Sequence, residues 1–414
     1  MSILVKDCDE LIVKLNSIAL AFMLAATAIT NTTSKIGFLA KLPNNIIILG
    51  FVFLLSCVSI YLKKEIIINK CSAVLLGLTT VVYGGTLLLN KSQCDLTIIQ
   101  FLFYAVVPIY LIGQKFDGEL VVRYTLYLSL VTIPVINSFF VIQHEQYQQA
   151  YMGNIYSVMT PIVFTIIHFK LYGSKSNLLT KIAYLYNVYV TVLIAMYANR
   201  GAILCIIFAV AIVLINDYDG EVKRNLSIQK LGLIIVVCVL IIVVLVNALQ
   251  ILEFLLRWCQ ENMSSVPSFI SKMAKYMSMG DVSNGRDDIF QVTCDAIAKN
   301  PILGNGIKTF EAYTTINARR GWVYPHNYIL QYLFEMGVIA GMVPIFLSLS
   351  MTIKVLFRRI VEKKEFIICA ALVVSCIPKL LFSSDVWTST SIWMLVTYSM
   401  MYSLNNIKIN VNYN

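Results

Sequence analysis

Long apolar blocks, separated by short polar loops, make up most of the chain. Most blocks are roughly 17–25 residues long, the length at which an α-helix crosses the hydrocarbon core of a bilayer. The pattern predicts about twelve spans and hence an all-α integral membrane protein. The predicted spans are 11–30, 44–62, 71–89, 96–114, 121–142, 155–172, 180–198, 201–216, 231–252, 328–353, 365–382 and 386–404.

Composition agrees with this pattern. Hydrophobic residues make up 58% of the chain and charged residues only 13%, whereas about a quarter of the residues of a soluble domain are charged. The formal charge of +10 would suggest a nucleic-acid ligand in a soluble protein. Here the Lys and Arg residues fall mostly in the short loops, so the charge indicates membrane orientation and no nucleic-acid partner is expected.

The distribution of basic residues predicts the orientation. Loops that follow even-numbered spans carry clusters of Lys and Arg, and loops that follow odd-numbered spans are poorer in charge. By the positive-inside rule the even-numbered loops and both termini are cytoplasmic. The basic residues concerned are Lys63, Lys64, Lys70, Lys115, Lys170, Lys175, Lys181, Lys223, Arg224, Lys230, Arg358, Arg359, Lys363 and Lys364.

One loop is much longer than the others. Residues 253–326 form an extracytoplasmic insertion, which divides the chain into nine spans (1–252), the loop (253–326) and three spans (327–414). Loops of this length are usually functional or disordered. Because this one contains many aromatic and aliphatic residues, we expect it to be partly helical and to cap a cavity between the spans.

A helix is predicted inside this loop. Asn284 is a suitable N-cap, and Ile289, Phe290, Ala296 and Ile297 then repeat at helical spacing. A helix-breaking segment, Pro301 with Gly304-Asn305-Gly306, follows it.

The cysteines do not indicate a metal or redox site, because no CxxC spacing occurs among the 10 cysteines. Most lie in apolar blocks, where they act as small hydrophobic residues. Cys259 and Cys294 share the long loop. They are either a disulfide or two free thiols.

Two arginines are candidates for anion binding. Arg200 lies between spans seven and eight, at the outer boundary, among apolar residues. It either extends towards the outer headgroups or binds an anion in an outer cavity. Arg286 lies in the first turn of the predicted loop helix, where Asp287 and Asp288 either pair with it or leave it, with the helix N–H groups, to bind phosphate.

His326 is the third candidate, in the segment Tyr324-Pro325-His326-Asn327 before span ten. A histidine there is either hydrogen-bonded for structural reasons or a general base. His168, by contrast, is predicted to be structural, and His144 lies in an outer loop with little context.

Further polar residues and glycines are expected to shape the last spans. Gln331 and Glu335 lie on one helix face, and an ion pair is predicted between Asp385 and Lys379. Gly337, Gly341 and Ser348 are typical of close helix packing.

The order of these motifs resembles the O-antigen polymerase and O-antigen ligase superfamily. Gly285-Arg286-Asp287-Asp288-Ile289-Phe290 is followed by Asn300-Pro301-Ile302-Leu303-Gly304-Asn305-Gly306 and then by Pro325-His326-Asn327-Tyr328-Ile329-Leu330-Gln331. Upstream, Asn199-Arg200-Gly201-Ala202 is similar to that family's arginine element at the start of a span.

The resemblance implies a GT-C-like, metal-independent membrane glycosyltransferase without a cofactor, in the bacterial inner membrane with its site facing the periplasm. Its donor would be a glycan on undecaprenyl diphosphate, and a chain-length regulator would be a further partner. Arg200 and Arg286 match the arginines that engage the diphosphate, and His326 matches the histidine near the acceptor. Arg319, Arg320, Tyr324 and Asn327 are expected to contact substrate.

Three activities remain open. The Pro325–Gln331 run and the Arg200-Gly201-Ala202 element favour a polymerase, which joins the growing chain to a lipid-linked repeat unit. Ser384-Asp385-Val386 is similar to ligases, which transfer the chain to lipid A-core. The third activity is that of a flippase, which is a transporter. A flippase is expected to carry ionisable residues near the membrane midplane, whereas the charged residues of this chain cluster at the outer boundary.

Overall fold

The computed structural model of the protein describes residues 2–41, 43–65, 68–90, 93–140, 148–173, 177–197, 200–215, 248–262, 286–318, 321–357, 360, 362–382 and 384–411. These residues are mostly helical, and none of them forms a β-strand, as the sequence predicted. The helices of nine residues or more are α1 Ser2–Thr33, α2 Asn44–Lys63, α3 Lys70–Leu89, α4 Ile98–Ile112, α5 Gly118–Leu128, α6 Gln148–Tyr172, α7 Leu178–Tyr197, α8 Arg200–Ile215, α9 Ala248–Asn262, α10 Arg286–Lys299, α11 Phe310–Ala318, α12 Tyr328–Leu356, α13 Lys363–Phe382 and α14 Thr390–Val411.

Apolar helices long enough to cross a membrane support a multi-pass membrane protein. In the described ranges, five helical segments are both long enough and apolar enough to cross a membrane. Two further apolar stretches, Ile98–Ile112 and Leu178–Ile194, are shorter. The count of about twelve spans therefore stays a prediction. Most of the predicted ninth span, residues 231–247, lies outside the described residues. The five segments are Cys8–Thr33, Asn44–Lys63, Lys70–Leu89, Gly118–Phe139 and Tyr328–Leu356.

Several helices begin where a polar side chain satisfies the first backbone N–H groups. The Asn69 side chain accepts a hydrogen bond from the Cys71 N–H at the start of α3. Asp117 accepts from the Glu119 and Leu120 N–H groups at the start of α5. Such caps supply partners that the helix itself lacks and fix where each apolar block begins.

Helix α13 lies at the centre of the bundle. It packs against α5, α6, α8, α12 and α14, and nearly all of its residues between Phe366 and Leu380 are buried. A helix that is apolar all round is expected in such a central position. Lys379, the charged residue within this buried stretch, is consequently enclosed by protein.

Much of the described part of the long loop is helical, and its helices α10 and α11 are docked on the bundle. Helix α9 runs across the predicted loop boundary at residues 252 and 253. Helices α10 and α11 form a small core with Phe334 of α12, whose ring makes an edge contact with Phe310 at 5.0 Å between centroids. Ile289 and Ala296 are buried in this core, as their helical spacing predicted. The predicted N-cap, Asn284, lies outside the described residues.

Helix α12 is broken at Gly337, and a loop segment fills the break. Gly337 has φ 66° and ψ −174°, which is not helical. The Asn305 N–H donates to the Phe334 carbonyl at 2.7 Å and the Gly306 N–H to the Glu335 carbonyl at 3.0 Å. The Val338 N–H donates to the Pro301 carbonyl at 2.8 Å. The segment 301–306 thus supplies hydrogen-bond partners that the broken helix cannot supply itself.

The glycines of α12 therefore serve a purpose different from the predicted helix packing. Gly337 lies against the backbone of Ile302 in the loop, not against another helix. Gly341 lies against the Tyr332 carbonyl of its own helix. The prediction of helix–helix contacts at these two positions is wrong, because the close approach is between a helix break and a loop.

Candidate functional site

The segment Tyr324-Pro325-His326-Asn327 leads directly into α12. The Asn327 side chain caps the helix, accepting hydrogen bonds from the Ile329 N–H at 2.9 Å and the Leu330 N–H at 3.3 Å. His326 precedes this cap with φ 59°, in the left-handed region. That conformation is uncommon for a non-glycine residue and often marks functional sites. The predicted substrate contact of Asn327 remains a prediction beside its capping role.

The His326 ring is half-buried and lies on Tyr324. The two ring centroids are 4.3 Å apart with the planes inclined by 51°. The Nδ1 atom is buried, and no described residue provides it with a hydrogen-bond partner. Burial, and secondly the positive charge of Arg286, lower the pKa of His326 to about 4. The imidazole is therefore neutral at pH 7 and can accept a proton or a hydrogen bond.

Arg286 is near this histidine. It is the first residue of α10 and is half-buried, and its charge acts on His326. Asp287 and Asp288 in the same turn are exposed, where acidic side chains complement the helix dipole. The structure thus brings together Arg286, Tyr324 and His326 from different parts of the predicted loop.

The structure does not describe the side chains of the other three predicted arginines. Arg200 is the first residue of α8, the position predicted at the start of a span. Its side chain lies outside what the structure describes, and so do Arg319 and Arg320. Their predicted contacts with substrate remain predictions.

A buried polar cluster lies one to two turns into α12. The Gln331 Nε2 donates to Glu335 at 3.0 Å and to Asp385 at 2.7 Å. The Trp387 indole N–H donates to Glu335, and the Trp387 backbone N–H donates to Asp385 at 2.9 Å. The shared helix face of Gln331 and Glu335 is confirmed. Since all of these groups are buried, their mutual hydrogen bonds fix the turn before α14 against α12.

Asp385 is ion-paired with Lys308, with 2.6 Å between Nζ and Oδ2. The prediction that it pairs with Lys379 is wrong. Burial lowers the pKa of Lys308, but the Asp385 carboxylate, together with Glu335 and Asp95, holds the net pKa above the ordinary value. Lys308 was missed, although it is an isolated cation on the predicted outer side, the same signal that singled out Arg200.

The remaining candidates have structural positions. His168 is buried, with its Nδ1 at 2.5 Å from the Tyr184 hydroxyl, as expected for a structural histidine. His144 lies outside the described residues. Cys259 and Cys294 are both free thiols, the first buried and the second exposed. Within the described ranges, no three His, Cys, Asp or Glu side chains form a metal-binding group.

Residues 185–345 match the family model described as O-antigen ligase. This match covers less than half of the 414-residue chain and supports a relationship of the segment to the O-antigen ligase and polymerase superfamily. The match contains Arg200, Arg286 and His326, and it ends within α12, beyond the break at Gly337. No curated protein sequence matches the chain.

Proteins of this superfamily are glycosyltransferase-like enzymes, so the match is consistent with such an activity. The matched segment includes the contact between 301–306 and α12, together with the Arg286, Tyr324 and His326 group. The choice between polymerase and ligase does not follow from the match.

Proposed function

We propose that the protein is a surface-polysaccharide polymerase. It transfers a growing glycan from undecaprenyl diphosphate to the non-reducing end of a lipid-linked repeat unit. The observation that carries the proposal is the neutral, half-buried His326, whose Nδ1 no described residue occupies, beside Arg286. This group can hold an acceptor hydroxyl and an anionic leaving group at one place.

The acceptor hydroxyl attacks the anomeric carbon of the donor glycan, and the bond from that carbon to the diphosphate oxygen breaks. The proton of the hydroxyl passes to His326, which acts as general base. Its position before the capped start of α12 holds the ring in one place, because Asn327 and the left-handed backbone leave the segment little freedom.

The arginines stabilise the leaving group. Negative charge develops on the diphosphate as the glycosidic bond breaks, and rigid cations near it lower the barrier. Arg286 and Arg200 would supply this charge, so the reaction would need no metal ion. We expect turnover to be unchanged by EDTA, and a loss of activity that Mg²⁺ restores would contradict this part of the proposal.

Binding of the donor would also improve the base. In the free protein Arg286 contributes to the low pKa of His326. A diphosphate bound to Arg286 offsets that positive charge, and a nearby negative charge raises the pKa of an imidazole. The histidine would then be a stronger base when the donor is present than when it is absent.

A ligase is the second candidate, because the matching family model is described as O-antigen ligase. The chemistry at the site would be the same, and only the acceptor would change to lipid A-core. The Pro325–Gln331 run and the Arg200-Gly201-Ala202 element favour the polymerase.

An in vitro reaction with purified protein and lipid-linked repeat units tests these activities. A ladder of products without added lipid A-core supports the polymerase. Transfer only when lipid A-core is present supports the ligase. Substrate that stays intact under both conditions contradicts an enzyme and favours a flippase, which a vesicle translocation assay would then detect.

We also propose that the chain has about twelve spans in the bacterial inner membrane. Both termini would be cytoplasmic, and residues 253–326 would lie in the periplasm between the spans of 1–252 and those of 327–414. The concentration of Lys and Arg in alternate loops supports this arrangement. Reporter fusions test it: a fusion after residue 318 should show periplasmic activity and a fusion after residue 362 cytoplasmic activity. The reverse result would refute the orientation.

A further inference from the structure

Lys379 is a buried cation that the proposed chemistry has not used. It lies in the last turn of α13, the central helix, directly after Pro378. Only 7% of its surface is exposed. A lysine is seldom buried in this way unless its charge is compensated.

No described carboxylate compensates it. Asp385, the acidic residue nearest along the chain, is ion-paired with Lys308. Among the described residues, the titratable groups that act on Lys379 are the thiols of Cys376, on its own helix, and Cys205, on α8. Thiols are weak hydrogen-bond partners and ordinarily carry no charge at pH 7. An intramembrane lysine in such surroundings marks a site for a ligand by default.

The position of Lys379 relates it to the proposed site. Helices α8 and α13 pack against each other. Cys205 lies five residues after Arg200 on α8, which is about 7.5 Å along the helix. Lys379 is therefore placed on the α8–α13 contact, about one and a half turns inward from the start of α8 at Arg200.

The same end of α13 faces the docked loop. The chain runs from α13 through Asp385, whose partner Lys308 belongs to the loop segment between α10 and α11. Lys379 thus lies at the end of the bundle that carries Arg286 and His326. Its flexible four-carbon stem allows the ammonium group to reach an anion there without movement of the helix.

We propose that Lys379 binds the phosphate of a lipid-linked anion at the outer end of the α8–α13 contact. The ligand chemistry is a phosphate on a lipid, and the diphosphate of the glycan donor is the source that the site location favours. The identity of the lipid rests on the proposed function, whereas the presence of an anion site does not.

Binding of undecaprenyl diphosphate, without any sugar, tests the proposal. The full chain in nanodiscs would be titrated and the complex measured by native mass spectrometry. Lys379→Met removes the charge and keeps the length, and Lys379→Arg keeps the charge. Loss of a charge-assisted contact should weaken binding about ten-fold or more in Lys379→Met and little in Lys379→Arg.

Lys354→Met is a matched control. Lys354 is a half-buried lysine on α12 whose Nζ donates to the Ser403 hydroxyl at 2.9 Å. Its replacement should leave undecaprenyl diphosphate binding unchanged. Equal weakening in Lys354→Met and Lys379→Met would contradict a specific site at Lys379.

Thermal unfolding separates a ligand site from a structural role. Because Lys379→Met replaces a charge without a described acidic partner by an apolar side chain, we expect the variant to be as stable as the parent or more stable. Clear destabilisation, or failure to fold, would show that the protein itself compensates the charge and would overturn the proposal. Unchanged binding in Lys379→Met would overturn it as well.

Phosphatidylglycerol distinguishes the two sources of lipid phosphate. Selective loss of undecaprenyl diphosphate binding in Lys379→Met supports the donor assignment, whereas equal loss of both lipids overturns it. The binding assay does not depend on turnover. A parent protein that binds undecaprenyl diphosphate through Lys379 but forms no product would contradict only the proposed glycosyl transfer.

Discussion

Gly304 and Gly337 meet backbone to backbone, with the loop lying in the break of α12. Both have positive φ, 76° and 66°. A Cβ atom on Gly337 would lie 2.2 Å from the Ile302 carbonyl oxygen, and one on Gly304 would lie 2.5 Å from the Gly337 nitrogen. Only glycine fits either position, because the neighbouring atoms are backbone and cannot turn aside.

Replacement of either glycine should therefore destabilise the protein. For Gly337→Ala and Gly304→Ala we expect a loss of at least about 2 kcal/mol of unfolding free energy, from backbone strain and from the clash together. Thermal unfolding in detergent measures the effect. Gly84→Ala and Gly85→Ala in α3 are controls, because an added Cβ there meets nothing within 4 Å. Equal stability of Gly337→Ala and the controls would contradict this account.

The Lys308–Asp385 ion pair should show strong coupling. Lys308→Met leaves the Asp385 carboxylate buried and uncompensated, which costs roughly 3–5 kcal/mol. The double variant Lys308→Met with Asp385→Asn should recover part of this loss, as a double-mutant cycle would measure. The exposed pair of Arg257 and Glu253, at 3.8 Å, is the control, and its disruption should cost less than about 1 kcal/mol. If the double variant loses as much unfolding free energy as the two single variants together, the result would argue against a direct pair of Lys308 and Asp385.

The backbone at His326 allows a variant that separates folding from chemistry. Asparagine adopts the left-handed conformation readily, whereas a β-branched residue does not. His326→Asn should therefore retain the thermal stability of the parent and lose product formation by about 100-fold or more, the loss expected when a general base is removed. His326→Val should lose stability as well. Full activity in a folded His326→Asn protein would exclude His326 as the base.

The low pKa of His326 should appear in the pH dependence of stability. The folded protein holds this imidazole neutral down to about pH 4, whereas the unfolded chain binds a proton near the ordinary value of 6.5. The unfolded state therefore binds more protons between these values, and the stabilising contribution is lost as pH falls through that window. The midpoint of thermal unfolding should fall more between pH 6.5 and pH 4 in the parent than in His326→Asn. Parallel curves for the two proteins would contradict the shifted pKa.

Docking of the loop should depend on Phe334. Its ring is fully buried among Ile289, Phe310 and other loop residues. Phe334→Ala removes this contact and should cost about 3–5 kcal/mol of local stability. Limited proteolysis should then cut the chain faster between residues 286 and 322. Phe346→Ala on the same helix is the control, because Phe346 is 67% exposed. If Phe334→Ala is cleaved no faster than the control, the loop is docked through contacts other than Phe334.

Local patterns predicted much of the loop helix. The spacing of Ile289 and Ala296 correctly predicted the buried face of α10. Pro301 and Gly304 correctly predicted where that helix ends. These signals act over a few residues, within the range of helix geometry and backbone strain. The group of Arg286, Tyr324 and His326 was named from motif order, and the proximity of these residues depends on the docking of the loop.

The break in α12 could not be predicted in this way. Gly337 in an apolar stretch is equally typical of close helix packing, and its left-handed conformation depends on a loop more than thirty residues earlier in the chain. The partner of Asp385 was mistaken for a similar reason. Lys379 is closer along the chain, but Lys308 is brought to Asp385 by the loop that fills the break.

The loop seated in α12 has a consequence for biogenesis. Residues 301–306 are synthesised before α12, so in the orientation proposed above they would already be across the membrane when that helix inserts. Until they dock, the Phe334 and Glu335 carbonyls and the Val338 N–H would face hydrocarbon without the partners they have in the finished protein, at several kcal/mol for each group. In that orientation, translocation of the loop and insertion of the tenth predicted span would therefore be coupled steps.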